Sequence, residues 1–171
     1  MHHLQVEAER VTPAELLSLL VEFAAARQRL LARHEAVARA VPEYDFNNTC
    51  QYIIAREETH LTWLDRSIRR LGGELPVGSA ATHDPGPPSD GSAVILDAEA
   101  SRARAFVEGW RDRVAGVTDA RERRMLEVVL GETLEHARMF AQAAAGRGDV
   151  LGRRPDGARP AGRVLPQRWV E

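Results

Sequence analysis

Through four long stretches of the chain, apolar residues recur every three or four positions, the repeat of a helix with one buried face. The first stretch opens at Thr12-Pro13-Ala14-Glu15, a capping box with proline at the first helical position. Leu16, Leu20, Phe23, Leu30, Leu31, Val37 and Ala38 continue it to about Ala40, and Pro42 ends it. A second stripe starts near Tyr44 or Asp45 and holds Phe46, Ile53, Ile54, Leu61, Leu64, Ile68 and Leu71, with Gly72-Gly73 as its stop. The third begins between Ala93 and Asp97 and shows Leu96, Ala103, Phe106, Trp110, Val114 and Val117. After a turn at Gly116-Val117-Thr118-Asp119, the fourth carries Met125, Leu126, Val129, Phe140 and Ala143 inward and fades at Gly146.

Between the second and third stripes, residues 73–92 contain Pro76, Pro85, Pro87, Pro88 and several glycines, which suit neither helix nor strand. A loop of this length in a small domain needs a purpose. Extended chain of this length can run back along a helix of ~40 Å and start the next one at the same end. The expected fold is therefore all-α, a four-helix bundle running up-down-down-up, with one long crossover between helices two and three. The expected domain is 12–148, preceded by a segment 1–11 and followed by an arginine- and proline-rich tail 149–171 that would be ordered only by docking.

Composition narrows the function. With 171 residues and 44% apolar content, one domain with a full-sized core is expected. A net charge of −2 gives no bulk electrostatic case for a nucleic-acid partner. The single cysteine, Cys50, excludes an intrachain disulfide framework and a Cys-x-x-Cys metal site, and reads as a small buried hydrophobe. The N-terminal residues lack the apolar run of a signal peptide, and no run approaches a membrane span, so a cytoplasmic protein is expected.

The candidate chemistry lies on the buried faces. Glu57 and His60 form a Glu-x-x-His one turn apart at the centre of the second stripe. In the fourth helix, Glu132 and His136 fall on the core face, whereas Glu135 points away. Glu99 lies inside with Leu96 and Ala103 on the third, and Glu108 lies opposite. On the first helix Glu22 sits off the centre of the stripe, with Arg27 and His34 nearer to it. Buried carboxylates are costly unless paired or bound to metal. Folding the third and fourth helices about Thr118 sets Glu99 level with His136. Folding the first two about Pro42 sets Glu22 near residues 60–62, Arg27 near Glu57, and His34 near Cys50.

This order resembles the ferritin-like superfamily, particularly its rubrerythrin and bacterioferritin branch, from about Thr12 to Gly146. The matching positions are Glu22, then Glu57 with His60, the crossover, Glu99, and Glu132 with His136. Glu22 and Glu57 are separated by 35 residues, Glu99 and Glu132 by 33. The resemblance implies two iron or manganese ions held by these six residues, with oxidase, ferroxidase or peroxidase chemistry on Fe(II), O2 or peroxide, and a homodimer joined through the first two helices. Two departures stand out. The fourth helix reads Glu-x-x-x-His, with Thr133 at the expected carboxylate position, so a π-bulge between Glu132 and His136 is expected if two metals bind. Glu58 occupies the place of the methionine that bacterioferritin haem requires, so no haem is expected.

Two other readings compete. Glu57 and His60 could form a buried ion-paired cluster with Arg27, leaving a non-catalytic bundle with a decayed site that serves in interaction or stress response. A mononuclear site of His34, His60 and His136 would need all three in one layer, and the register about Pro42 separates His34 from His60.

Overall fold

The computed structural model of the chain describes residues 12–41, 43–77, 91–147 and 150–151. It forms an all-α four-helix bundle. The helices are α1 (Pro13–Ala40), α2 (Tyr44–Arg70), α3 (Ser92–Ala115) and α4 (Ala120–Ala144). Among the described residues there is no strand, and no helix is long and apolar enough to cross a membrane.

Local chemistry fixes the helix ends. The Thr12 hydroxyl accepts from the Glu15 amide at 3.2 Å, and the Glu15 carboxylate accepts from the Thr12 amide at 2.7 Å, so two amides of the first turn are satisfied reciprocally. At the start of α4 the Asp119 carboxylate accepts from the Glu122 amide at 3.0 Å. Gly72, at φ 82°, ends α2 in the left-handed region where a side chain would be strained.

The core consists of two apolar clusters. One gathers Leu16, Leu20, Phe23, Leu64, Ile68, Val107, Trp110, Leu126 and Val129, with Phe23 edge-on to Trp110 at 4.8 Å. The other gathers Val37, Phe46, Cys50, Ile53, Ile95, Leu96, Met139 and Phe140. Helix direction follows from the order in which each helix visits them. α1 and α4 pass from the first cluster to the second, whereas α2 and α3 pass from the second to the first. The bundle is therefore up-down-down-up, with α2 and α3 parallel. Residues 78–90 of the crossover lie outside the described residues, as do segment 1–11 and the tail from residue 152 onward.

A polar layer separates the two clusters. Each helix contributes to it: Arg27 and His34 from α1, Glu57 and His60 from α2, Glu99 from α3, and Thr133 and His136 from α4. All seven are at most 1% exposed.

Candidate metal centre

Arg27 sits in the middle of this layer, fully buried. Its Nη1 donates to Thr133 Oγ1 at 2.7 Å, its Nη2 donates to His60 Nδ1 at 2.9 Å, and Nη2 is also 3.3 Å from Glu57 Oε1. Burial lowers its pKa and the Glu57 and Glu132 carboxylates offset that, so the guanidinium stays charged.

A guanidinium only donates, so His60 Nδ1 must be the acceptor. The His60 proton is then on Nε2, which donates to Glu132 Oε2 at 2.9 Å. Burial and the neighbouring Arg27 cation push the imidazole down to about 4, consistent with a ring that must stay neutral to accept. Arg56 clamps Glu132 from the other side with two bonds of 2.9 and 2.7 Å. These bonds to Arg56 are the main cause holding the Glu132 carboxyl below its usual range.

On the opposite side of Arg27 the layer is built differently. His34 Nδ1 is 2.9 Å and His136 Nδ1 is 3.5 Å from Glu57 Oε1, and His34 Nε2 is 3.9 Å from Glu99 Oε2. Measured strictly, none of these contacts has hydrogen-bond geometry, so both Glu57 oxygens, both His34 nitrogens, His136 Nδ1 and Glu99 Oε2 lack a hydrogen-bond partner. Burial would raise the Glu57 carboxyl, but His34, His136 and Arg27 around it hold it well below the usual range. The other Glu99 oxygen accepts from Arg33 and from Arg102, each at 2.7 Å.

The six residues expected from the sequence are thus treated differently. Glu57, His60, Glu99 and His136 are buried in one layer. Glu132 is at the edge, its side chain 30% exposed, and Thr133 takes the fully buried position beside it. α4 runs as regular α-helix through residues 132–136, without the expected π-bulge, and this puts Thr133 in line with Val129 and His136. Glu22 is outside the layer, 55% exposed and paired with Arg113 at 2.7 Å. The six-residue set left out His34, which entered only the mononuclear reading, yet it lies in the layer. Beyond the expected level of Cys50, its Nδ1 meets Glu57, further along α2, at 2.9 Å. Cys50 is buried as expected, its thiol pushed up to about 12 by burial, Glu57 and Glu99, so it is inert.

Two metal ions do not fit this donor set. The inward nitrogen of His60 is occupied by an Arg27 proton, Glu132 is taken by Arg56 and His60, and Glu22 is on the surface. Each carboxylate already has a cation: Glu57 meets Arg27, Glu99 meets Arg33 and Arg102, and Glu132 meets Arg56. No group of three or more His, Cys, Asp or Glu side chains among the described residues stands in metal-holding geometry. No protein-family model matches the chain, and no curated protein or solved structure matches it.

Proposed function

We propose that this chain is a non-catalytic bundle of the ferritin-like type, in which an arginine-centred ion network stands where the dimetal centre of that family would be. It acts as a helical module through its surfaces, not as an oxidase. The observation that carries this reading is Arg27, a fully buried cation bonded to Thr133 and His60 and paired with Glu57. Such a cation repels any ion brought to the same carboxylate. Support for the ferritin-like type comes from the direction of the helices and from the order Glu-x-x-His, crossover, Glu, Glu with His along the sequence. The reading includes a cytoplasmic homodimer joined through α1 and α2, for which light scattering in solution is the direct measurement.

The test is elemental analysis of untagged protein purified without chelators, combined with Fe(II) oxidation assays in air. The expected outcome is fewer than two metal equivalents per chain and no acceleration of Fe(II) oxidation over buffer. Two equivalents of iron or manganese that disappear on Glu132→Ala would restore the di-metal oxidase reading and end this one.

A further inference from the structure

At the end of the bundle farthest from Thr12, four helix ends surround a cleft of about 490 Å3. Val41 after α1, Phe46 near the start of α2, Leu96 near the start of α3, and Ala143 and Ala144 at the end of α4 give it an apolar lining. Clefts of about 300–1,000 Å3 with such a lining seat apolar groups brought from elsewhere. Tyr44 stands at this cleft with 78% of its surface exposed. The first amides of α2 and α3 lie beside it without a side-chain cap, because neither Glu43 nor Gly91 supplies one.

The same chain holds an occupant within reach. Gly146 and Arg147 line the cleft, so the chain passes its rim directly after α4, and Leu151 is exposed a few residues on. Residues 152–171 follow, and they carry Val164, Leu165, Trp169 and Val170. Extended chain between Leu151 and Leu165 can span about 45 Å, ample for a return to the cleft. The other two segments outside the described residues cannot fill it. Residues 1–11 join the opposite end of α1, whose 28 residues put about 42 Å between Thr12 and the cleft. Fully stretched, Leu4 lies at most about 29 Å from Thr12 and Met1 about 40 Å. Residues 78–90 precede α3 beside the cleft but contain no Leu, Ile, Val, Met, Phe, Tyr or Trp.

Charge favours the same pairing. Five arginines against Asp156 and Glu171 give residues 152–171 a net charge of +3, and the whole chain carries −2, so the remainder carries −5. Glu43 lines the cleft, exposed, and accepts from Ser92 Oγ at 3.2 Å through one oxygen, which leaves the other for a cation. We propose that residues 164–170 fold back and dock in this cleft within the same chain. Leu165 and Trp169 fill the apolar lining, and Arg168, next to Trp169, meets Glu43. Tethering sets the effective concentration of the segment near the millimolar range, so modest contacts suffice to hold it. The inference goes beyond the non-catalytic reading given above and is independent of metal content. Docked there, the segment plugs this end of the bundle, and any other molecule that uses the cleft must displace it.

The test is paramagnetic broadening in the full chain. Cys50 is the single cysteine, so Cys50→Ala with Gln167→Cys places one nitroxide label beside Trp169. The expected result is loss of the amide signals of Tyr44, Phe46, Leu96 and Ala144, with those of Leu16 and Leu20 at the other end untouched. Adding Trp169→Ala should restore the lost signals, and so should Ala93→Trp, which fills the cleft from an exposed position on α3. If Cys50→Ala does not fold, hydrogen exchange in the otherwise unaltered chain decides. The uncapped first amides of α2 and α3 should then exchange several-fold faster after Trp169→Ala. Broadening that is absent, or equal at both ends, overturns the proposal. So does broadening or protection that survives Trp169→Ala. Broadening that reaches an unlabelled second copy when the two chains are mixed also overturns it, because the segment then docks between molecules.

Discussion

The two sides of the polar layer use the same residue types for opposite ends. On one side, Arg27, Thr133, His60, Glu132 and Arg56 form a chain in which nearly every proton has an acceptor. On the other, Glu57, His34 and His136 come equally close but leave their lone pairs unused. The difference is the guanidinium. It supplies charge together with five directed protons, so imidazole and hydroxyl can orient around it. Where only carboxylate and imidazole meet, there are too few protons for all the acceptors. Satisfaction in a buried polar layer therefore depends on counting donors as much as on balancing charge.

Removing the guanidinium should produce the largest effect. Arg27→Met leaves Glu57 as a buried charge, with Thr133 Oγ1 and His60 Nδ1 losing their donor. The expected loss is ~3–5 kcal/mol, measured by urea unfolding. The double change Arg27→Met with Glu57→Leu should recover much of it, because the pair is replaced by apolar groups of similar size. A neutral Arg27→Met would show that the layer owes little to its arginine and would erase the contrast between the two sides.

How much of this could be read from the sequence depends on reach. Helical phase found the buried positions of Glu57, His60, Glu99 and His136, because a Cβ direction follows directly from the 3.6-residue repeat. It failed at Glu132 and Thr133, adjacent residues on either side of the stripe centre, where the charged residue was favoured and the regular helix buried the threonine. It also gave no sign of Arg33, Arg56 and Arg102. Their side chains are 28%, 31% and 47% exposed, so by phase they belong to the surface, yet each guanidinium reaches in to a carboxylate. By phase alone, Arg27 was therefore the one cation placed beside an inward carboxylate. The fold was easier. The stripes, caps and long crossover gave all four helices to within a few residues, and their direction follows from the crossover length.

A second prediction sharpens the contrast through pH. His60 is held down to about 4 by burial and by Arg27, while Glu132 on its other nitrogen pulls the opposite way. Across the stacked gap on α4, the His136 ring is 6.4 Å away. An unfolded histidine titrates near 6.5, so between about 6.5 and 4 the unfolded chain binds more protons than the folded one. The stability that His60 contributes is complete above about pH 6.5 and is lost as pH falls through 4. Urea midpoints should decline across that window, and His60→Gln, which can still accept from Arg27 and donate to Glu132, should flatten the decline. Proton NMR offers a direct check: a His60 ring that titrates near 6.5 would mean that Arg27 does not donate to it.

The smallest effect is expected at Glu22, and its smallness is the point. In the di-metal pattern this residue would be a terminal ligand, and its removal would cost metal and disturb the core. In the structure its carboxylate is 55% exposed and, among the described residues, pairs with Arg113 alone, itself 44% exposed and stacked 4.3 Å from the Trp110 ring. That stacking does not need Glu22, so Arg113 stays in place when the carboxylate is removed. An exposed ion pair of this kind contributes under about 1 kcal/mol, and salt screens it further. Glu22→Ala should therefore shift stability by less than ~0.5 kcal/mol, with a difference from the unaltered chain that shrinks as salt rises. A loss above ~1.5 kcal/mol that persists at high salt would couple Glu22 to the buried layer through α1. The division between an arginine-filled side and an open side would then have to include a third, outer region.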